Sequence, residues 1–425
     1  MVRRLAHARL LVLLVIVAFV VAACGGGEET PTTSGQTGGA TTTGTRGTAT
    51  ATAGRATATA GHATATAGRG TATAAGESAA AGMTRATPDP NASGTIALLL
   101  PESKTTRYES ADRPYFEARF KELCPNCSII YSNANQDAAA QQQQAEAALT
   151  NGAQVLVLDP VDSASAAVIA DRAAAQGVPV IAYDRLILNS ENVDYYISFD
   201  NFRVGQLQAE TLVDALQGID NPQIVMINGS PTDNNASQFK AGAHSVFDPL
   251  VEQGQLTIAL EYDTPDWSPD QAQNEMQQAL TALGNDVDGV YAANDGTASG
   301  AIAAMKAAGI TDLPPVTGQD AELAAIQRII AGEQYMTVYK AIRPEAEVAA
   351  DLAFYLLTGN PVPEDLTSGN TADNNSAQVP AVLLTPVAVT ADNVADTVVA
   401  DGFWTADQIC TPEYASACET AGLTQ

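Results

Sequence analysis

Short apolar runs alternate with longer amphipathic stretches over residues 95–340. Each apolar run predicts a β-strand, and stretches with helical spacing between them predict helices. The runs are TIALLL (95–100), SIIYS (128–132), QVLVLD (154–159), VPVIAYD (178–184), YYISFD (195–200), QIVMING (223–229), LTIALEY (256–262), VDGVYAAN (287–294) and MTVYK (336–340). The predicted helices are at 138–149, 164–175, 204–216 and 269–283.

This order of elements predicts an α/β fold. Strands that alternate with helices form parallel sheets with helices on both faces. The series occurs twice, and the folded part of about 330 residues exceeds the size of one comfortable core. The pattern therefore predicts two Rossmann-like lobes with parallel sheets.

The first 23 residues have the different pattern of an export signal. Arg3, Arg4 and Arg9 precede an apolar run of about a dozen residues, which is too short to cross a bilayer. The run ends in Val-Ala-Ala before Cys24, and small residues before a cysteine at this place resemble the bacterial lipoprotein signal. In that family the cysteine is lipidated, so residues 1–23 are predicted to be a lipoprotein signal peptide and Cys24 the lipid anchor. An ordinary secretory signal with an incidental cysteine is the alternative.

Residues 24–93 are rich in Thr, Ala and Gly and show no apolar periodicity. The heptapeptide ATATAGR recurs within them, but no large apolar residue occupies any position of the period, so no coiled-coil seam can form. A segment that cannot bury apolar surface stays disordered. Residues 24–93 are therefore predicted to be a flexible tether that begins at the lipidated cysteine.

The charge balance narrows the possible partners. The chain has 48 acidic and 20 basic residues and a formal net charge of −28 at pH 7. Binding of nucleic acid requires clustered Lys and Arg side chains that neutralise phosphates, so this composition argues against nucleic acid as a partner. An acidic surface keeps a protein soluble by self-repulsion and leaves an uncharged ligand undisturbed.

Four cysteines lie in the predicted folded part, and an even number in an exported chain indicates disulfides. Pairing of Cys124 with Cys127 and of Cys410 with Cys418 is favoured over crossed pairing, although the sequence leaves the connectivity open. The first pair has redox-motif spacing, but nothing else in the sequence resembles a thioredoxin fold. No metal site is predicted, because only one of the three histidines, His244, lies in the folded part.

Polar residues follow the predicted strands at their carboxyl ends, where open parallel sheets bind ligands. These residues are Asp184, Arg185, Asp233, Asn235, Asn294, Asp320 and Lys340. Carboxylates accept hydrogen bonds from hydroxyl groups, and guanidinium and ammonium groups donate to them, so the set suits an uncharged, polyhydroxylated ligand. Trp267 and Tyr108 are candidates for stacking on the apolar C–H face of a sugar ring. An Asp or Asn after a strand is also a common helix N-cap, and this alternative applies to each position taken singly.

Seven segments resemble one protein family in detail. They are AYDRLI (182–187), YYISFDNFRVGQLQAETLVD (195–214), GSPTDNNA (229–236), ANDGTASGAI (293–302), GQDAEL (318–323), MTVYK (336–340) and LLTPVAV (383–389). They are similar to segments of the ribose-type bacterial periplasmic binding proteins, in the branch that binds pentoses and hexoses, and the resemblance covers about residues 94–404. It implies a periplasmic binding protein type 1 fold, in which a three-strand hinge joins two lobes that close on a sugar.

The resemblance also implies sugar-binding roles for ten residues. Arg107 matches the family's cleft arginine in the first loop after a strand, and Tyr108 stands where the family has a stacking tryptophan. The other matches are the Asp-Arg pair Asp184 and Arg185, Asp233 and Asn235 of the DNN segment, the second stacking aromatic Trp267, Asn294, Asp320 and Lys340. The lobes implied are residues 94–200 with 342–381, and residues 201–341 with 382–425, the second carrying a disulfide-bearing tail.

The chain departs from the family pattern at several places. Tyr108 replaces a tryptophan, which makes the stacking face smaller and leaves the preferred sugar open. The first loop, residues 101–106, lacks the family's acidic pair. The Cys124–Cys127 segment and the tail at 405–425 are additions, and so is the long tether.

The function expected from these features is that of the extracytoplasmic substrate-binding lipoprotein of a sugar ABC importer. Such a protein, expected to be a monomer, is held by its lipid at the outer face of the cytoplasmic membrane. It binds a monosaccharide, D-xylose or a related aldopentose or aldohexose, and delivers it to the membrane permease. No cofactor, metal or catalytic residue is expected, because the sequence has no G-x-S-x-G motif and no cluster of metal ligands.

Two alternatives remain open. One is a sugar-sensing co-receptor for a membrane signalling protein. The other is a secreted sugar-modifying enzyme, in which Asp184, Asp233 and Asp320 would supply an acid and a base. A sugar-responsive repressor is excluded, because the export signal and the tether take the place of a DNA-binding domain.

Overall fold

The computed structural model describes residues 82–423. The predicted signal peptide, the predicted lipidation site Cys24 and residues 24–81 of the predicted tether lie outside these residues. Within the described part, no helix is long and apolar enough to span a membrane.

The predicted tether, residues 24–93, extends too far into the folded part. The backbone N–H and the hydroxyl group of Thr84 both donate to the carboxylate of Asp365, at 2.9 and 2.7 Å. Arg85 forms ion pairs with two acidic side chains of a core helix, and the side chain of Ala86 is buried in the first core. This segment docks mainly through polar contacts, which a pattern of apolar residues does not reveal.

Twelve strands and twelve helices lie within residues 82–423. The strands are β1 (Thr95–Leu100), β2 (Ser128–Asn133), β3 (Leu156–Leu158), β4 (Val180–Tyr183), β5 (Tyr195–Phe199), β6 (Gln223–Asn228), β7 (Thr257–Asp263), β8 (Gly289–Ala292), β9 (Met336–Tyr339), β10 (Thr371–Asp373), β11 (Gln378–Leu384) and β12 (Val387–Thr390). The helices are α1 (Arg113–Leu123), α2 (Ala138–Thr150), α3 (Ala167–Ala174), α4 (Asn201–Ala215), α5 (Asn234–Glu252), α6 (Pro269–Leu283), α7 (Asp295–Ala307), α8 (Leu323–Ile330), α9 (Ile342–Thr358), α10 (Glu364–Thr367), α11 (Ala406–Ile409) and α12 (Ala415–Thr420). Three short helical turns, Tyr108–Asp112, Pro265–Trp267 and Ala395–Val399, complete the set.

Two parallel sheets form the framework. The first has seven strands in the order β10-β11-β5-β4-β3-β1-β2, and the second has the order β7-β6-β8. Isolated bridges join Val290 to Val316 and Gln319 to Val338, so the chain at 316–319 connects β8 to β9. This segment pairs only through these two bridges and forms no strand of its own.

Two antiparallel pairs were not predicted. β10 pairs with β11 at the edge of the seven-stranded sheet, and β9 pairs with β12. Each pair includes at least one strand that lies after residue 340, where the predicted series of strands and helices ends. The alternation that predicted parallel pairing does not extend to these strands.

The chain passes three times between the two sheets. The passages follow β5, β9 and β11. The third lies between Leu384 and Val387, three residues later than the boundary expected after residue 381, because β11 stays paired with β5 through the Leu384–Phe199 register.

Consecutive residues of the central strands are buried on opposite faces. Leu98 and Leu99 of β1 belong to different cores, and so do Met226 and Ile227 of β6. Successive side chains of a strand point to opposite faces, so helices must cover both sides of each sheet. This arrangement explains why the strands appear as unbroken apolar runs in the sequence.

Two disulfides occur in the described residues, Cys124–Cys127 and Cys410–Cys418. These are the local pairs. The second joins α11 to α12 in the carboxyl-terminal tail, and Cys418 is fully buried in a core that also contains Ile326 of α8. The tail therefore packs on the fold.

Candidate functional site

All ten residues assigned by resemblance line a single cavity of about 260 Å³. Each of them is at most 4% exposed. The full lining is Thr105, Arg107, Tyr108, Asp184, Arg185, Asp233, Asn235, Phe239, Trp267, Asn294, Gln319, Asp320 and Lys340.

The lining residues come from the carboxyl ends of both sheets. Asp184 and Arg185 directly follow β4, and Lys340 directly follows β9. Asp233 and Asn294 are the N-caps of α5 and α7, with side chains that accept from the backbone N–H groups two and three residues later. The capping alternative therefore describes these two residues correctly, and the same residues still face the cavity.

Arg107 is surrounded by three carboxylates. Its Nη2 donates to Asp112 Oδ1 and to Glu345 Oε2, both at 2.6 Å, and its Nη1 donates to Asp184 Oδ1 at 3.1 Å. Burial acts to lower the pKa of the guanidinium, but the attraction of Asp112, Asp184 and Glu345 outweighs it and raises the pKa. Arg107 is therefore a fixed buried cation.

Arg185 occupies a similar position beside the other acidic groups. Its Nε lies 3.1 Å from Asp233 Oδ2 and 3.6 Å from Asp159 Oδ1, and its Nη2 lies 3.7 Å from Glu102 Oε1. Nη2 also donates to the hydroxyl group of Tyr108 at 3.1 Å. The guanidinium thus links three carboxylates to the aromatic wall of the cavity.

Lys340 completes the cationic set. Its Nζ lies 3.0 Å from Asp320 Oδ1 and 3.8 Å from Asp184 Oδ1. The rings of Phe199 and Phe239 are also near, with centroids 5.6 and 5.8 Å from the ammonium group. Three cations and three carboxylates therefore line the cavity, and the lining is formally neutral.

The two central aspartates differ in acidity. Burial opposes ionisation of Asp184, but Arg107, Lys340 and Arg185 overcome this effect and lower the pKa of Asp184 to about 2. Burial raises the pKa of Asp233 above its ordinary value, although Arg185 partly offsets the rise. Asp184 is accordingly an ionised hydrogen-bond acceptor throughout the physiological range of pH.

Two aromatic side chains form walls of the cavity. The hydroxyl group of Tyr108 donates to Asp184 Oδ2 at 2.9 Å, and the indole Nε1–H of Trp267 donates to Asp233 Oδ2 at 3.0 Å. A side chain at Gly229 would place its Cβ 2.0 Å from the Trp267 ring, so glycine is required there to seat the indole. The tyrosine hydroxyl ties the aromatic wall to the acidic one, which a tryptophan could not do in this way.

Several buried polar atoms have no hydrogen-bond partner among residues 82–423. In the cavity lining, Gln319 Oε1 has neither a hydrogen bond nor an ion pair, whereas Arg185 Nε and Asp320 Oδ1 make ion pairs but no hydrogen bond. A buried polar atom without a partner is costly, and a hydroxyl group within reach would satisfy it. The cavity therefore offers both donors and acceptors to a hydroxylated guest.

Direct hydrogen bonds connect the residues that follow the first sheet with those that follow the second. Asn235 Nδ2 donates to the carbonyl oxygen of Asp184 at 2.9 Å, and Asn201 Nδ2 donates to Asn235 Oδ1 at 2.9 Å. At the rim, the Ser163 N–H donates to the carbonyl of Thr232 at 2.9 Å. The side chains of both sheets are thus in contact around the enclosed space.

The loop that carries Asp320 is strained. Asp320 has φ 91° and the next residue, Ala321, has φ 51°. Non-glycine residues in this region each cost about 1–3 kcal/mol and persist where the surroundings hold them. The Asp320 N–H donates to Val338 O at 2.9 Å, and the Ala321 N–H donates to Thr337 Oγ1 at 3.2 Å. Strand β9 thus fixes both Asp320 and Lys340.

The sequence did not reveal the carboxylates behind the two arginines. Glu102, Asp112, Asp159 and Glu345 are all fully buried or nearly so. Glu102 lies in the first loop, which has one buried acidic residue although it lacks the family's acidic pair. The cavity residues Thr105, Phe239 and Gln319 were also not assigned, and Phe239 has the sequence signal of an ordinary core residue on an amphipathic helix.

His244, the one histidine of the folded part, lies away from the cavity. It is on α5, half-buried, with Nδ1 2.8 Å from Asp248 and Nε2 3.1 Å from Glu261. Burial acts to lower its pKa, but these two carboxylates raise it. Among residues 82–423 no group of three or more potential ligands could hold a metal ion.

The comparisons with known proteins agree with this geometry. The family described as a periplasmic binding protein domain matches residues 96–361. The chain belongs to the periplasmic binding protein family. The predicted α/β fold of the type 1 binding proteins is confirmed, and the family implies a location outside the cytoplasm.

Two relatives of this periplasmic binding protein match over most of their length. The D-xylose-binding periplasmic protein of Escherichia coli is 38% identical over 309 residues, which cover 72% of this chain and 90% of that protein. The multiple sugar-binding periplasmic receptor of Rhizobium radiobacter is 40% identical over 331 residues, covering 74% and 92%. The names of both relatives describe binding proteins and not enzymes.

A solved structure shows the same architecture. The ABC transporter solute binding protein from Clostridium phytofermentans, with bound β-D-glucose, superposes with a TM-score of 0.69 at 30% identity. The match covers 74% of this chain and 99% of that one.

Proposed function

We propose that this chain is the substrate-binding protein of a sugar ABC importer, which binds one neutral monosaccharide in the cavity and delivers it to the membrane permease. One observation carries the proposal: ten buried residues scattered over residues 107–340 meet in one formally neutral cavity. The relatives named as xylose- and multiple-sugar-binding proteins, and a neighbour with bound glucose, support the same ligand class.

The chemistry of the lining suits sugar hydroxyls. Asp184, Asp233 and Asp320 accept hydrogen bonds, and Arg107, Arg185 and Lys340 donate them, so each hydroxyl group can do both. Hydrogen bonds to charged groups are roughly twice as strong as those between neutral groups. The faces of Tyr108 and Trp267 offer apolar contact for the ring.

Residues that follow both sheets supply the binding groups, so a bound sugar would favour the closed arrangement. A ligand shifts such an equilibrium only by its greater affinity for one state. In this proposal the two lobes are the two sheets with their helices, and the three passages of the chain form the hinge. The permease would then recognise the closed form.

The anchoring part of the proposal rests on sequence alone. Cys24 would carry the lipid, and the segment after it would let the receptor reach its permease. Fractionation of cells tests this: the wild-type chain should sediment with membranes, and the Cys24→Ser variant should be released. A wild-type chain found in the soluble fraction would exclude the anchor.

Calorimetric titration with a panel of pentoses and hexoses tests the binding function. At least one neutral monosaccharide should bind with a 1:1 ratio and raise the melting temperature by mass action. Asp320→Ala should weaken that binding by about 2–4 kcal/mol, because it removes the nearer carboxylate of Lys340 and an acceptor for a sugar hydroxyl. The matched change Asp312→Ala, at an exposed loop position, should have no effect.

Two outcomes would contradict the proposal. The first is the absence of binding by every sugar in the panel. The second is turnover: prolonged incubation followed by product analysis should return the sugar unchanged, and any new product would favour the enzyme alternative.

A further inference from the structure

The carboxyl-terminal tail packs directly behind the cavity. Its helices α11 and α12 are joined by the Cys410–Cys418 disulfide. Ile409 and Cys418 are fully buried in one core with Ile326 and Ile329 of α8. The tail is thus held against the helix that follows the Asp320 loop.

Polar contacts fix the same docking. Gln327 Nε2 of α8 donates to the backbone carbonyls of Gln408 and Ile409, at 3.3 and 3.2 Å. Because these carbonyls belong to α11, the position of the tail relative to α8 is set by both apolar burial and hydrogen bonds. The disulfide then limits the movement of α11 and α12 relative to each other.

Two aromatic residues that directly precede the tail contact the chain neighbours of two cavity residues. The indole Nε1–H of Trp404 donates to the carbonyl oxygen of Ala321 at 2.7 Å, and Ala321 is the residue after Asp320. The ring of Phe403 lies 5.1 Å from that of Trp404 and 5.3 Å from that of Tyr339. Tyr339 directly precedes Lys340.

The Asp320 loop needs such support. Asp320 and Ala321 both have positive φ, 91° and 51°, and non-glycine residues keep this backbone only where their surroundings hold it. Strand β9 holds the two N–H groups. Trp404 holds the Ala321 carbonyl from the opposite side of the chain.

We propose that Trp404 is a positioning residue of the sugar site and that the disulfide-closed tail holds it in place. Through Ala321 it keeps the Asp320 carboxylate 3.0 Å from Lys340 Nζ, where both can meet the same sugar. This role rests on the proposed function, because Asp320 and Lys340 matter here as sugar-binding groups.

A double-mutant cycle in the full-length chain tests the proposal, with the tightest sugar of the panel as the probe. Trp404→Phe keeps an aromatic ring and removes the N–H donor. It should weaken sugar binding about 3- to 10-fold, the range expected for the loss of one hydrogen bond. In an Asp320→Ala background the same change should not lower sugar affinity further, because the carboxylate that Trp404 positions is already absent.

The cycle separates positioning from general stability. A residue that only stabilises the fold would lower affinity by the same factor in both backgrounds, and that result would overturn the proposal. Unchanged affinity of the single variant Trp404→Phe would overturn it as well. If the wild-type chain itself binds no sugar, the proposed function fails, and the positioning role falls with it.

A second pair of variants tests the tail independently of the indole. Replacement of Cys410 and Cys418 by serine should lower sugar affinity several-fold, because the tail no longer holds Trp404. Replacement of Cys124 and Cys127 by serine is the matched control, since that disulfide lies in the other core and should leave affinity unchanged. Equal effects of the two replacements would contradict a specific role of the tail.

Discussion

Arg185 and Asp233 form a buried ion pair, with 3.1 Å between Nε and Oδ2, that connects the two sheets. Arg185 follows β4 of the seven-stranded sheet, and Asp233 caps the helix after β6 of the second sheet. Opening of the cavity would separate these charges and expose both to water. The pair therefore contributes to closure, and its strength depends on Asp233 being ionised.

Asp233→Asn tests this contribution with little change of shape. Asparagine is as good an N-cap as aspartate, so the helix should keep its stability. The ion pair to Arg185 is lost, and sugar affinity should fall by roughly 1.5–3 kcal/mol, the value of a hydrogen bond to a charged group. Calorimetric titration measures this. Asp137→Asn makes the same change at an exposed N-cap outside the cavity and should leave affinity as it is.

Asp159 predicts a pH dependence of stability. Burial raises the pKa of this carboxyl well above its ordinary value, and Arg185 offsets only part of the rise. In the unfolded chain it titrates near pH 3.9. Between that pH and the raised pKa, the native state holds one more proton than the unfolded state. The free energy of unfolding should therefore fall as pH rises through this window, by up to about 1.4 kcal/mol per pH unit.

Urea titrations at several pH values between about 4 and 8 check this slope. The Asp159→Asn variant has no titrating group at this position, so its free energy of unfolding should vary less steeply with pH. If the free energy of unfolding of this variant varied with pH as steeply as that of the wild-type chain, groups other than Asp159 would account for the pH dependence.

Gly229→Ala should displace the indole of Trp267. The new Cβ would lie 2.0 Å from the ring, and such overpacking costs about 1–3 kcal/mol. The indole would lose its hydrogen bond to Asp233, and sugar affinity should fall about 10-fold or more. Gly296→Ala is the matched control, because its Cβ would meet nothing closer than 3.5 Å. Equal affinity of the Gly229→Ala and wild-type chains would exclude Trp267 as a sugar contact.

The balanced lining predicts discrimination by charge. Sugar acids, sugar phosphates and amino sugars should bind at least about 100-fold more weakly than the neutral parent sugar, because a buried unpaired charge is costly. Competition against the tightest neutral sugar measures this ratio. A uronic acid that competes as well as its neutral parent would show that the carboxylates of the lining are not all ionised.

The convergence of the cavity residues could be predicted from the sequence because parallel strands end at a common edge. Asp184, Arg185 and Lys340 each directly follow a strand, so their relative positions depend only on correct strand assignment. Arg107, Tyr108 and Trp267 lie on loops and helical turns. Residue type made the two aromatics candidates for stacking, but only the family resemblance assigned Arg107 and the places of all three in the cleft. The structure brings both groups of residues to the same cavity.

The second layer of charge could not be predicted in the same way. Glu345 lies on α9, and a glutamate on a helix is ordinarily solvated. Here its side chain is fully buried and accepts a hydrogen bond from Arg107. Its burial depends on how α9 packs behind the cavity, which is a tertiary contact between residues 238 positions apart in the chain. Burial raises the pKa of Glu345 well above its ordinary value despite the nearby Arg107.

The tail shows a further limit of pattern analysis. Its helices have four and six residues and little apolar periodicity. Short segments of this kind dock through a few buried residues, here Ile409 and Cys418, and through main-chain hydrogen bonds. The sequence identified the tail as an addition to the family pattern but could not indicate that it reaches the back of the Asp320 loop.

The burial of Lys340 near two phenylalanine rings makes its amine a probe of how accessible the cavity is. The chain has five lysines, and this one is only 3% exposed, whereas Lys104, Lys121, Lys240 and Lys306 are more accessible. In the proposed opening and closing of the two lobes, an acylating reagent would reach Nζ only in the open form. The rate at which Lys340 is labelled, read by mass spectrometry against the other four, would thus report how often an unliganded receptor opens.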